Sequence, residues 1–447
     1  MKPLVYVRDC NSLSGTFVDD HNSPPKRVPP SSGYLLSQGE VIRLPPYWEF
    51  HVYLPGLQRT DSPISQLRPG EIELFRDRFL VTGQVLGSGA FATVHLAVDL
   101  RKGKQVACKI HRLNHPRRGS SGTVRRILGE TNILSRLTHP NLLKFVAAFR
   151  SSDTLYTFTE LATGGDLFSM RLKYLDGLQE TDIKLIMRQI VDAVCYLHQQ
   201  NIAHRDLKPE NVFFATGPTP MARVIVGDLG FAKVATSGRM RSKIGTERFI
   251  APEIYHGQCY GAEVDIWSVG MISLFLTALP WGDIGLFEAF DQDAVDKALT
   301  AAFYDLSKRD KALSSDFKDF IQACLSVEPS MRMTADISKR HSWFGSSWSR
   351  LKGQIRECTK DWKPTQVVHN SVEDLDLLES RKLQKTITTI SPNKRTTQDD
   401  SSIVEDTQYS HYFTKDDPTG YKRQKISQAN LVVKVTGLDE EMYHLGI

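Results

Sequence analysis

The sequence predicts an α+β fold, and three observations carry the prediction. Short apolar runs broken by turn residues recur as far as Ile110. One stretch with three-four spacing follows, at Ile127, Leu128, Ile133, Leu134 and Leu137, and beyond Asp166 the pattern is mostly helical. With 447 residues, 40% hydrophobic and 24% charged, the chain is longer than one core fills. We divide it into a partial β-domain at 1–57, a linker at 58–78, a second domain at 79–344 and a largely disordered regulatory tail at 345–447.

The elements follow in order. Val5-Tyr6-Val7, Gly15-Thr16-Phe17-Val18, residues 39–44 and residues 50–54 read as strands, with the Pro- and Ser-rich residues 21–33 as a loop between them. Pro55, Gly56, Pro63, Pro69 and Gly70, with few apolar neighbours, mark the linker. The second domain opens with strands at 79–81, 94–98 and 105–110. Its most regular helix is 181–198, where Ile183, Ile186, Met187, Ile190, Val191, Val194 and Leu197 keep one apolar face. Residues 267–279 read as a buried helix, and the apolar stretch 269–281 is too short to span a bilayer. Residues 316–325 and 338–344 read as closing helices. The tail is too polar to offset chain entropy over most of its length, apart from a short amphipathic helix at 372–383 and a short strand at 431–435, either of which is a candidate docking segment.

Bulk properties exclude more than they assign. The formal charge of +5 is the balance of 56 basic and 51 acidic residues, a solvated mixed-charge surface with no call for nucleic acid or membrane. The six cysteines are scattered without metal-ligand spacing, as expected of reduced thiols in an intracellular protein.

The chemistry is concentrated in His204-Arg205-Asp206-Leu207-Lys208-Pro209-Glu210-Asn211, followed by Asp228-Leu229-Gly230. An acid, a lysine, an amide and a second acid in that order are what phosphoryl transfer from a magnesium nucleotide needs. Asp206 is placed to accept a hydroxyl proton, Lys208 to neutralise charge on the transferred group, and Asn211 and Asp228 to hold metal. Upstream, Gly87-Ser88-Gly89-Ala90-Phe91-Ala92-Thr93-Val94 lies between two expected strands, where glycines let backbone N–H groups approach phosphates. Lys109 falls inside an apolar strand, where its charge needs a partner, and Glu130 in the next helix is the obvious one.

Taken in order, these words resemble the eukaryotic protein-kinase signature over residues 79–344. The resemblance implies a bilobal protein-kinase fold, with a small antiparallel β-sheet lobe plus one helix and a larger helical lobe, binding ATP and Mg2+. It places Leu86, Gly87, Gly89, Val94, Ala107, Lys109, Glu130, Glu160, Ala162, Asp166 and Phe213 around the nucleotide, with Thr159 as gatekeeper. It makes Arg332 the buried partner of Glu253 in Ala251-Pro252-Glu253, and Asp265 the brace of the catalytic loop. Leu134, Phe145, His204 and Leu229 match a stacked apolar spine. Leu229 stands where the family has Phe.

Residues 164–168, Pro209-Glu210-Asn211 and His341-Ser342-Trp343-Phe344 are similar to the calcium/calmodulin-dependent kinase group. Residues 8–18 and 35–42 resemble the second half of a forkhead-associated (FHA) domain, a phosphothreonine-reading β-sandwich. In that family the phosphate-holding Gly-Arg and Ser-x-x-His elements precede the first of these words, and its Asn is Ser14 here. The expectation is a partial all-β FHA sandwich with an uncovered sheet edge, engaging phosphothreonine partners only where the domain is complete. The combination resembles FHA-containing checkpoint and meiotic effector kinases of fungi.

That resemblance implies Ser/Thr substrates with Arg three residues upstream, held by Asp166 and Glu210. Arg239 stands three before Ser242, so Ser242 is a candidate for autophosphorylation in a transient homodimer, with Arg205 as the cation for its phosphate and Thr246 shaping the substrate pocket. Four tail dipeptides, among them Thr397-Gln398, match sites of DNA-damage kinases, Ser391-Pro392 matches a cyclin-dependent site, and residues 422–425 form a weak nuclear signal. Localisation is expected to be nuclear or cytoplasmic. Two alternatives stay open: a calmodulin-regulated kinase without checkpoint duties, although the tail lacks an obvious basic amphipathic helix, and a pseudokinase scaffold, although all five catalytic positions are filled.

Overall fold

The computed structural model describes residues 5–10, 12–19, 24–29, 33–46, 48–53, 69–88, 92–113, 121–174, 176–217, 219–234, 247–277, 291–309, 311–345, 348–364, 372–375 and 432–435. The fold is mixed α and β: a β-rich N-terminal unit, a sheet lobe and a helical lobe.

The N-terminal strands are β1 (Tyr6–Val7), β2 (Phe17–Asp19), β3 (Lys26–Arg27), β4 (Tyr34–Leu35), β5 (Val41–Leu44) and β6 (Trp48–Tyr53). Val18, Val28, Leu36 and Val52 form their small core. The edge expected to be uncovered is met from the far end of the chain: β17 (Val432–Val435) pairs antiparallel with β6, giving the order β17-β6-β5-β2-β3. Asp9 serves this unit locally. Its buried carboxylate accepts the N–H groups of Ser12 at 2.8 Å and Thr16 at 3.3 Å, and the Ser12 N–H, with further help from Thr16 and Arg27, holds its pKa below the usual value against the cost of burial.

Residues 69–75, read from the sequence as linker, form α1 (Pro69–Phe75). Phe75 is buried against Phe79, Phe149, Tyr156 and Phe158, and Glu71 accepts from Ser151 Oγ at 2.7 Å and Tyr156 OH at 2.8 Å. The sheet lobe consists of β7 (Phe79–Ser88), β8 (Ala92–Asp99), β9 (Lys104–Arg112), α2 (Ser121–Leu134), β10 (Phe145–Arg150) and β11 (Thr154–Glu160). Its six strands run in the order β16-β10-β11-β9-β8-β7, where β16 is Glu373–Asp374 from the tail. The N-terminal unit touches this lobe at Gln105, whose side chain accepts from Leu35 N at 2.7 Å and donates to Leu35 O at 3.0 Å.

The helical lobe begins with α3 (Leu167–Arg171) and α4 (Glu180–Gln199), the latter one residue longer at each end than its expected range and buried along the expected apolar face. Four short strands, β12 (Ile202–Ala203), β13 (Val212–Phe214), β14 (Val224–Val226) and β15 (Lys233–Val234), pair as β12 with β15 and β13 with β14. After α5 (Pro252–Tyr255), the helix α6 (Glu263–Phe275) is buried nearly all round, as its apolar sequence requires. Then come α7 (Gln292–Lys308) and α8 (Ser315–Cys324). Residues 338–344, expected as one closing helix, belong to two: α9 (Ala335–Lys339) ends before His341, whose Nδ1 accepts the Trp343 N–H and opens α10 (Ser342–Gly345).

In the tail, the strand expected at 431–435 is β17, whereas residues 348–359 and 372–375 depart from expectation. Residues 348–359 form α11 (Trp348–Thr359), docked by the buried Leu351, and residues 373–374 of the expected 372–383 helix are strand β16. Among the described residues, no helix is long and apolar enough to cross a membrane.

Candidate active site

Strand register decides which side chains face the cleft between the two lobes. Val94 pairs with Lys109, Ala107 with Thr159 and Lys109 with Thr157, so Val94, Ala107, Lys109, Thr157 and Thr159 share one face of the sheet. Val106, Cys108 and Ile110 point the other way, into the aromatic core around Phe75 and Phe158. Leu86, Val94, Ala107 and Phe213 are all half-buried. Gly87 pairs with Val94 at the end of β7, whereas Gly89 lies outside the described residues.

The helix α2 delivers Glu130 to this face. Lys109 Nζ lies 2.7 Å from Glu130 Oε1 and 3.7 Å from Asp228 Oδ1. Burial works against the charge on Lys109, but the two carboxylates outweigh it and raise its pKa, so the ammonium is fully charged at neutral pH. Asp228 shows the reverse balance: desolvation pushes its pKa up, yet Lys109 and His204 bring it below the usual carboxylate value. Its backbone is left-handed at φ 55°, and its side chain accepts the Gly230 N–H at 3.4 Å.

The loop between β12 and β13 is held by buried polar contacts. Asp265, itself 0% exposed, accepts the backbone N–H groups of His204 and Arg205, each at 2.8 Å, and the Nε2–H of His198 at 2.8 Å. Arg205 takes φ 71°, a conformation that non-glycine residues hold only when their surroundings fix it. His204 is 0% exposed; its Nε2 donates to Gly227 O at 3.0 Å and its Nδ1 accepts Asp206 N at 3.3 Å. Asp206 is buried, and its Oδ2 accepts from Lys208 Nζ at 2.8 Å and Asn211 Nδ2 at 3.1 Å. The same amide donates to Asp206 O at 2.7 Å, which fixes its orientation and leaves its oxygen as the acceptor.

The remaining expected site residues are placed as follows. Glu160 ends β11; its carboxylate is taken up by Arg223 and by Lys144 N at 2.9 Å, and its own N–H donates to Lys144 O at 2.9 Å. Ala162 follows in the strand-to-helix connection, where Gly164 approaches the Thr216 carbonyl so closely that a Cβ would lie 1.5 Å from it. Asp166 caps α3, accepting Ser169 N at 2.7 Å and Ser169 Oγ at 2.9 Å. Glu210 has one carboxylate oxygen, Oε2, that is buried and without a hydrogen-bond partner among the described residues. Arg205 is gripped by Tyr260, whose hydroxyl accepts from both Nε and Nη2 and whose ring lies 5.3 Å from the guanidinium, and it donates to Phe231 O at 3.2 Å. Ser242 and Thr246 lie outside the described residues.

Arg332 and Glu253 meet as expected, with Nη1–Oε1 at 2.7 Å and Nη2–Oε2 at 3.1 Å. Leu134, Phe145 and Leu229 are buried in one core cluster. Sequence reasoning missed Tyr260, His198 and Arg223, the partners of Arg205, Asp265 and Glu160. It also missed α11, whose Leu351, Ile355 and Cys358 at three-four spacing were the available signal.

A protein kinase domain family model matches residues 80–344. The chain is similar to the meiosis-specific serine/threonine-protein kinase mek1 of Schizosaccharomyces pombe, at 32% identity over 369 residues, covering 78% of this chain and 75% of that protein. It is similar to the calcium/calmodulin-dependent protein kinase cmkA of Emericella nidulans, at 36% identity over 59% of this chain and 61% of the relative. A third likeness is to human calcium/calmodulin-dependent protein kinase type 1B, at 33% identity over 58% of this chain and 73% of the relative.

Proposed function

We propose that this chain, which belongs to the protein kinase family and is a serine/threonine kinase, phosphorylates Ser/Thr residues that carry Arg three positions upstream. The observation that carries the substrate reading is Glu210, whose buried Oε2 has no partner among the described residues and sits four residues after Asp206. A buried carboxylate oxygen without a donor is costly unless a donor arrives, and a substrate guanidinium supplies one. Asp166 adds acidic character at the start of α3.

The geometry supports the following division of labour. Lys109, held charged by Glu130, meets the α- and β-phosphates of ATP, and the half-buried Leu86, Val94, Ala107 and Phe213 receive the adenine. Asp206 orients the substrate hydroxyl and takes its proton, while Lys208, 2.8 Å away, offsets charge on the transferred phosphoryl group. Among the described residues no group of three His, Cys, Asp or Glu could cage a metal. The sparse set of Asn211 and Asp228 fits Mg2+, which keeps water and phosphate oxygens in its shell. Bound there, Mg2+ supplies positive charge to the phosphate oxygens.

For regulation we propose phosphorylation of Ser242 in trans, by a second copy, through Arg239 three residues before it. A phosphate there gains a charge-assisted partner in Arg205, in competition with Tyr260. The likeness to a meiosis-specific kinase supports a nuclear checkpoint or meiotic role, with phosphothreonine partners engaged only where the FHA domain is complete. One observation favours a second reading, calmodulin-type control: α11 exposes Arg350, Lys352 and Arg356 opposite its buried Leu351, the basic amphipathic helix that the sequence did not reveal. Phosphate transfer to an Arg-x-x-Ser peptide and to its Ala-x-x-Ser counterpart tests the substrate reading. Calcium-dependent capture of the full chain by calmodulin would establish the second.

A further inference from the structure

The tail does more than leave the helical lobe. Its α11 is anchored there: Trp348 lies under the Arg188 guanidinium at 4.3 Å, Leu351 is 2% exposed, and Cys358 Sγ donates to Met221 O at 2.9 Å. The chain then reaches the sheet lobe, where Lys144 Nζ donates to Lys363 O at 2.8 Å. At its far end, Glu373 and Asp374 pair in parallel with Phe149 and Arg150, covering the edge of β10, and Arg78 Nη1 lies 3.4 Å from Glu373 Oε1. Leu375 is 1% exposed among Phe75, Phe149, Tyr156 and Phe158.

Val372 links this strap to catalysis. It packs on the cluster of Leu113, Ile127 and Leu155, with Val124 and Leu128 beside it. Val124, Ile127 and Leu128 belong to α2, and Ile127 stands one helical turn before Glu130, the partner of Lys109. On that side the apolar neighbours of α2 include Leu113, Leu155 and Val372. The tail segment supplies the last of these, and its backbone pairs along the edge of β10.

We propose that residues 372–375 act in cis as a positioning element for the catalytic machinery. Docked on β10 and against α2, Val372 and Leu375 hold Glu130 where it grips Lys109; undocking the segment slackens the pair and lowers phosphate transfer without removing any group that touches ATP. The inference rests on the kinase reading above, and its surface takes one occupant, this chain's own tail.

The test uses the full chain carrying Leu375→Asp, with a fluorescent peptide of residues 364–380 as the probe. Misplacing a catalytic group at this level costs about tenfold or more in kcat/KM for ATP. The expected result is a loss of that size in Leu375→Asp, substantial recovery on adding the wild-type peptide in trans, and peptide binding seen by anisotropy to the variant but at least tenfold weaker to the wild type, whose surface is filled. Unchanged kcat/KM in the variant, a loss that the peptide fails to restore, or equal peptide binding by both proteins would overturn the proposal. If the wild type itself transfers no phosphate, the kinase reading fails, whereas the anisotropy arm still reports whether the tail docks.

Discussion

Arg332 and Glu253 form a bidentate ion pair with side chains 0% and 2% exposed, 79 residues apart in the chain. The guanidinium also donates to the backbone carbonyls of Ser326, Glu263 and Val327, so its hydrogen-bonding capacity is used within the helical lobe. The pair ties α5 to the loop after α8. Arg332→Ala leaves Glu253 charged and buried, and we expect a loss of about 3–5 kcal/mol in chemical denaturation of the isolated variant.

Glu130→Gln removes the carboxylate that keeps Lys109 in place while preserving size. Steady-state kinetics should show a fall of about 10²-fold in kcat/KM for ATP with folding intact, since one preorganised contact to the phosphates is loosened. Circular dichroism and thermal unfolding close to the wild type would confirm that the loss is local.

Glu210→Gln should erase substrate choice more than activity. Wild-type protein is expected to prefer an Arg-x-x-Ser peptide over Ala-x-x-Ser by about 30-fold, the worth of one buried charge pair. In the variant, the two peptides should be phosphorylated at similar rates, measured side by side.

Acid should destabilise the fold through His111. It is 3% exposed, its Nδ1 has no hydrogen-bond partner among the described residues, and burial, reinforced by Lys109, lowers its pKa from 6.5 to about 3. The unfolded chain binds a proton below pH 6.5 while the folded chain refuses it down to about 3, so the contribution is fully present above 6.5 and is lost as pH falls through that window. One unit below 6.5 it amounts to about 1.4 kcal/mol. Denaturant titrations at pH 7.5 and 5.5 should show that slope, and His111→Gln should flatten it.

The sequence was most legible where chemistry forces rare choices. A lysine inside the apolar run 106–110 demands a carboxylate, and Glu130 stood at the right place in the following helix. Likewise, α4 shows its apolar face in a single window. What stayed hidden depended on neighbours remote in sequence. Tyr260 holds Arg205 from 55 positions away with no pattern to announce it. Helix α1 was hidden because Pro69 and Gly70 read as linker punctuation, although proline is tolerated in a first turn. The strand β16 is two acidic residues with no strand propensity, and it extends only because the edge of β10 offers partners.

The most direct test of the account is radiolabel transfer from ATP to an Arg-x-x-Ser peptide by the wild type and by Asp206→Asn, which keeps the size of the side chain and removes the base. The account predicts clear transfer by the wild type and a loss on the order of 10³-fold in the variant, with its thermal stability retained. Equal transfer by the two proteins, or none by the wild type after incubation with ATP and Mg2+, would contradict it.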